Sequence, residues 1–292
     1  MQYVIVGARG EAGQSALEAI KAVDREAHIF ATTSSDRNGP DGEQPGLSWV
    51  GNIDLNAADA PDRVQQALHA AGVTQPAVLF YTPALGPIGY PVRAATRADV
   101  MEALRFSYIP MVALAERLRP AKTVGYSAFY WLRHTLGAYG SMAYAKIALD
   151  RLAFREPEKY RVIRAGTFAS QATRGIALLM YRKIRKTEYP ELQELAAAFQ
   201  NSDKKFSDFF FEYAYSCEIE AYAAQFDSIP HRPTNREDLL DGNRIILNNA
   251  VDAPVQSMIG DWRWTETEMP DLPPDTFRLL AELDDIIADC RR

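Results

Sequence analysis

Gly7, Gly10 and Gly13 stand three residues apart, directly after the apolar run Tyr3-Val4-Ile5-Val6. A buried strand that ends in such a turn and opens a helix can bring its backbone close to a large anion. Residues without a Cβ permit both the tight turn and the close approach. The helix N-terminus adds unpaired N–H groups and a partial positive charge, which suit a pyrophosphate. Strand, turn and helix in this order separate a dinucleotide fingerprint from a plain strand-to-helix turn. An NAD site usually carries an acid at the end of the second strand, about 20 residues after the glycines. Here that stretch reads Thr32-Thr33-Ser34-Ser35-Asp36-Arg37. The hydroxyls of Thr33 and Ser34, with Arg37 and with Arg9 inside the glycine turn, fit a 2′-phosphate. The expected cofactor is NADPH, and NADH stays open because Asp36 could take a ribose. Asp54 is a candidate partner for the adenine amine.

These groups need a scaffold, and the hydrophobic pattern supplies one. Strands are expected at 3–6, 29–33, up to 53–55, 77–81, 122–126 and 160–163. Helices are expected at 14–23, 64–71, 100–118 and 139–154. Strand and helix alternating in this way predict an α/β fold of the Rossmann type, a doubly wound parallel sheet. Ligands then bind at the carboxyl ends of the strands. Beyond Gly166 the rhythm changes to helices at 174–186, 191–200 and 206–226, a helical region on the substrate side spanning 174–240. The third of these is crowded with aromatics, among them Phe206, Phe209, Phe210 and Phe211. They fit a core or subunit contact, or else a lid over an apolar substrate. A last strand is expected at 244–247 and an amphipathic helix at 276–288. No repeat or linker divides the chain, so residues 1–292 are read as one domain.

The chain has 292 residues, 47% of them hydrophobic and 24% charged, with a net charge of −6. An acidic chain is a poor nucleic-acid binder. Cys217 and Cys290 form no disulfide framework and no metal-like spacing. No apolar run approaches the roughly 18 residues of a membrane span, and no secretory signal is visible. A cytoplasmic protein acting on a small molecule, with a homo-oligomer as an option, is expected.

A second set of residues carries a resemblance. The stretch Tyr139-Gly140-Ser141-Met142-Ala143-Tyr144-Ala145-Lys146 resembles the catalytic helix of the short-chain dehydrogenase/reductase superfamily. The usual Tyr four before the Lys is replaced by Met142. Tyr139 precedes Lys146 by seven, a Tyr-x6-Lys pattern similar to the enoyl-acyl-carrier-protein reductases. On a continuous helix seven residues turn by roughly 700°, which returns Tyr139 to the face of Lys146 and leaves Tyr144 elsewhere. Arg161 to Thr167, continuing through Ser170 to Gly175-Ile176, resembles the family's sixth strand and cofactor loop, with Gly166 and Thr167 at the nicotinamide. Phe106-Ser107-Tyr108 is a fainter echo. The likeness covers residues 3–176. Departures include Phe129, where the enoyl reductases carry a further Tyr; Tyr126, Ser127 and Tyr130 lie beside it.

The resemblance implies reduction of the C=C bond of an enoyl thioester or similar conjugated carbonyl. Tyr139 would donate to the developing enolate oxygen, and Lys146 would lower the phenol pKa and hold the nicotinamide ribose. Two alternatives stay open: a carbonyl reductase using Ser127, and a dinucleotide-binding regulator without catalysis. His134 is read as structural.

Overall fold

The computed structural model describes residues 1–34, 44–55, 57 and 59–292. Its strands are β1 (Gln2–Val6), β2 (His28–Thr32), β3 (Leu47–Val50), β4 (Val78–Tyr81), β5 (Lys122–Ala128), β6 (Tyr160–Ala165), β7 (Val255–Ile259) and β8 (Trp262–Glu266). Its helices are α1 (Glu11–Val23), α2 (Ala60–Ala70), α3 (Arg97–Ser107), α4 (Ile109–Leu118), α5 (Arg133–Ala138), α6 (Met142–Arg155), α7 (Gln171–Ile184), α8 (Pro190–Gln200), α9 (Phe206–Tyr222), α10 (Arg236–Leu247) and α11 (Leu283–Cys290).

The order across the sheet is β3-β2-β1-β4-β5-β6-β7-β8. Neighbours run parallel except β7 and β8, which are antiparallel. Side chains alternate between the two faces, as strand geometry requires. Val4 and Val6 enter one core with residues of α2, α3, α4 and α6. Tyr3 and Ile5 enter the opposite core with residues of α1 and α10. This is the Rossmann-type doubly wound arrangement. Its direction of winding reverses between β1 and β4, which opens a crevice at the carboxyl ends of those strands.

Several elements depart from the sequence pattern, each for a local reason. The expected helix 100–118 is two helices, α3 and α4. They meet at Tyr108, whose φ of −127° leaves the helix, and Pro110 cannot supply the N–H that would continue it. The third strand lies at Leu47–Val50 and not at 53–55, because the chain turns at Asn52 with φ 58°. Residues 244–247 are the end of α10 rather than a strand. Asn235 starts that helix with a capping box, accepting from the N–H groups of Glu237 and Asp238. The pattern missed β7 and β8, which join through the two-residue turn Gly260-Asp261, Gly260 at φ 56°. The terminal helix is shorter than expected, Leu283–Cys290.

Candidate functional site

The glycine turn sits at the winding reversal, and its three glycines have three different reasons. Gly7 has φ 78°, and a Cβ there would lie 2.6 Å from Thr82 Oγ1. The Gly7 N–H donates to Thr32 Oγ1 at 3.3 Å, so the end of β2 braces the turn. A Cβ at Gly13 would lie 2.5 Å from the Gly7 carbonyl oxygen, so helix-to-turn packing forbids a side chain there. Gly10 differs. A Cβ there would meet only the Gly7 carbonyl oxygen, 3.7 Å away. Packing does not demand a glycine at that position, which leaves room for a ligand. Gly10 is also the N-cap of α1 and caps it with no side chain, so the first-turn N–H groups face outward for an anion.

Of the adenosine-side candidates, Arg9 and Ser34 are exposed, Thr33 is buried at the end of β2, and Asp54 is exposed after β3. Arg37, with Asp36, lies outside the described residues.

A cavity of about 560 Å³ lies between the first residue of α1 and the loop after β6; Glu11, Phe168, Tyr215, Arg232 and Asn235 are among its lining residues, and Tyr139 and Lys146 are not. The loop itself is gripped from three sides. A Cβ at Gly166 would lie 2.7 Å from Thr234 Oγ1 and 3.0 Å from Glu218 Oε1. The Thr167 N–H donates to the buried Glu218 carboxylate at 2.5 Å. Thr167 Oγ1 lies 3.2 Å from His134 Nε2. Burial pulls the His134 imidazole down to about 4, so it is neutral at pH 7.

The Tyr–Lys pair is not built on one helix. Tyr139 ends α5, Gly140 takes φ 50°, and α6 begins at Met142. The rotation that would align Tyr139 with Lys146 on a continuous helix therefore does not apply. The break is specified by packing: a Cβ at Gly140 would lie 2.7 Å from the Tyr90 ring and 2.9 Å from the Pro87 carbonyl oxygen. Tyr139 is instead fixed by a bridge to Tyr90 and by its N–H, which donates to Thr135 at 2.8 Å. It is half-buried, burial pushes its phenol up to about 12, and its hydroxyl has no partner among the described residues.

Lys146 is 5% exposed, and its ammonium donates to the Tyr126 carbonyl oxygen at 2.7 Å. Burial pulls its pKa down to about 8, while Asp150, one helical turn on, acts in the opposite direction. Tyr126 thus contributes its backbone. Its phenol points to the other face of the sheet and donates to Asn243 Oδ1 at 2.8 Å, so it is not brought to the lysine as expected. Tyr144 is fully buried, and its hydroxyl accepts from the Leu279 N–H at 3.2 Å, away from the site. Met142 is buried, with its sulfur 3.9 Å from Ser107 Oγ.

Ser127 and Tyr130 lie against a charge cluster that the sequence pattern did not flag. Arg164, fully buried on β6, donates to Asp150 at 2.6 Å, to Ser257 at 3.2 Å and to Glu266. The Ser127 and Tyr130 hydroxyls make no hydrogen bond of good geometry, yet both lie near enough to Asp150 to favour its ionised form. Burial nevertheless raises the Asp150 pKa, and Arg164 pulls the other way. Asp150 stands one turn after Lys146, and Arg164 interrupts an apolar strand; both were visible signals. Breaking a buried pair leaves one charge uncompensated, at about 3–5 kcal/mol. Asp150→Ala should therefore lower the melting temperature by about 10 °C. A melting curve within 2 °C or so of wild type would show that water already shields the pair. No group of His, Cys, Asp and Glu among the described residues could hold a metal ion.

Neither a family model nor a curated protein matches the chain in sequence. Solved structures with a partial likeness to the chain include short-chain dehydrogenases and carbonyl reductases. A short-chain dehydrogenase from Streptomyces avermitilis is 14% identical with a TM-score of 0.44, over 78% of this chain and 96% of that one. A carbonyl reductase from Pseudomonas aeruginosa PAO1 is 21% identical at 0.41, over 61% and 89%. A 4-hydroxyisoleucine dehydrogenase mutant, complexed with NADH and succinate, is 14% identical at 0.48, over 70% and 91%. Likeness at these values decides nothing about chemistry, which must come from the residues themselves.

Proposed function

We propose that the protein is an NAD(P)H-dependent oxidoreductase that reduces the C=C bond of an enoyl thioester or similar conjugated carbonyl. The observation that carries this reading is Gly10: it is the one glycine of the turn whose missing side chain the protein's own packing does not require, and it stands at an uncapped helix N-terminus whose first residue, Glu11, lines a cavity. A bound pyrophosphate accounts for both. The nicotinamide supplies hydride when bound. The ring would lie toward the loop of Gly166 and Thr167, which Glu218 and His134 hold in place. Tyr139 brings an uncommitted hydroxyl to donate to the oxygen on which negative charge develops. Lys146, whose ammonium is held on the Tyr126 carbonyl oxygen, would hold the nicotinamide ribose. Ser127 is turned into the Asp150 cluster, which supports enoyl over carbonyl reduction, since the latter would call on a serine hydroxyl at the substrate.

Arg9, Thr33, Ser34 and Arg37 favour NADPH. A charge-assisted contact to a 2′-phosphate contributes roughly 1.5–3 kcal/mol, so NADPH should bind at least about tenfold more tightly than NADH. Fluorescence titration with both cofactors checks this; a preference for NADH would assign the ribose to Asp36. The role of Lys146 also sets a pH dependence. Its charged form is the active one, so turnover should fall as pH rises through about 8. A rate that stays level from pH 7 to 10, well past that value, would remove the ammonium from the mechanism.

The experiment that tests the function itself is turnover of an enoyl thioester against a β-keto thioester, following NADPH at fixed enzyme. Faster enoyl turnover supports the proposal. Faster β-keto turnover assigns a carbonyl reductase, and tight NADPH binding without oxidation by either assigns a regulator.

A further inference from the structure

We infer that the outward face of α7 docks the protein on an anionic lipid surface. From Lys159 to Thr187 the chain contains no acidic residue, although its net charge is −6. Within that span α7 and the two residues after it carry Arg174, Arg182, Lys183, Arg185 and Lys186. Lys183 is occupied by the Ile88 carbonyl oxygen. The other four are exposed and have no carboxylate partner among the described residues.

The inner side of α7 is committed to the protein through Ala177, Met180 and Ile184, which pack with α8 and α9. Helical spacing places residues 174, 178, 182 and 185 in one outward row, with 175, 179 and 186 beside it. That face therefore sets Leu178 and Leu179, 53% and 38% exposed, between cations at either end. Exposed branched side chains ringed by arginine and lysine are the composition of a helix lying in a membrane interface. No helix among the described residues is long and apolar enough to cross a membrane, so the attachment is peripheral.

Size decides between a lipid and an acidic protein as occupant. A 14-residue helix is about 21 Å long, and one face of it is far smaller than the roughly 800 Å² per partner that a stable protein interface buries. A fluid anionic surface needs no shaped complement. The acidic residues elsewhere do not oppose it, because charges beyond about 8 Å are screened at physiological salt.

The test is flotation of the full chain with vesicles of phosphatidylcholine alone, or with one third phosphatidylglycerol. Binding is expected only to the second and should be released by added salt. Each lost cation lowers partitioning roughly fivefold, so Arg182→Ser with Arg185→Ser should lower it roughly 25-fold. Leu178→Ser with Leu179→Ser should also weaken it while leaving the charge in place. All four positions are exposed, and melting curves matching wild type would confirm that both variants fold. No binding to anionic vesicles, or unchanged binding in either variant, overturns the inference. Equal capture by soluble polyaspartate overturns it in favour of an acidic protein. A dimer that the arginine variant converts to monomer overturns it in favour of a second copy.

Discussion

Replacing Tyr139 by Phe should slow turnover roughly 100- to 1,000-fold while leaving NADPH affinity within about twofold of wild type. The hydroxyl has no partner within the protein among the described residues, so its removal breaks no internal contact. The loss then falls on the transition state, where the oxygen carries its largest charge. Tyr144→Phe is the control. Its hydroxyl accepts from the Leu279 N–H, so that variant should lose stability and keep its rate. Steady-state kinetics together with cofactor titration separate these outcomes. A slow Tyr144→Phe beside a fully active Tyr139→Phe would place the wrong tyrosine at the substrate. Normal rates in both would remove this tyrosine region from the chemistry.

The second large effect belongs to the glycine turn, and there the three positions divide. Gly10→Val should abolish dinucleotide binding and leave the melting temperature almost unchanged, because the protein offers room for the new side chain and only a ligand would meet it. Gly7→Val should instead damage the fold, since it combines a left-handed φ with a contact at 2.6 Å. Calorimetric titration and thermal unfolding of both variants give the answer. A Gly10→Val protein that binds NADPH normally would move the phosphates away from α1 and remove the observation on which the functional proposal stands.

The parts legible in the sequence were the local ones. Apolar runs ending in turn residues marked β1, β2, β4, β5 and β6, and the glycine triplet marked its own turn. What escaped depends on residues far apart in the chain. Gly140 breaks the helix because Tyr90 and Pro87, some 50 positions earlier, fill the space of a Cβ. Gly140 is the one sign of that break between 139 and 154, and helical periodicity alone runs straight through it. Tyr126 stood in a strand whose alternation was visible, but the partner that claims its phenol, Asn243, is 117 residues away. The β7–β8 hairpin is short and ends in tryptophans and charges, so its pattern resembles a loop. Asp150 and Arg164 were each in view, and only the fold makes them a pair.

That pairing also bears on how the chain is made. Asp150 and Arg164 leave the ribosome almost together, but Glu266, the second carboxylate on Arg164, follows 102 residues later. At about 5–20 residues per second, this is an interval of roughly 5–20 s. Until β7 is made, β6 has no neighbour on its far side. The edge that β7 will cover is open, with a guanidinium awaiting its last ligand. The hairpin at the carboxyl end therefore completes the interior as well as the sheet, and synthesis pauses before residue 255 would prolong exposure of the strand edge most prone to pair with another chain.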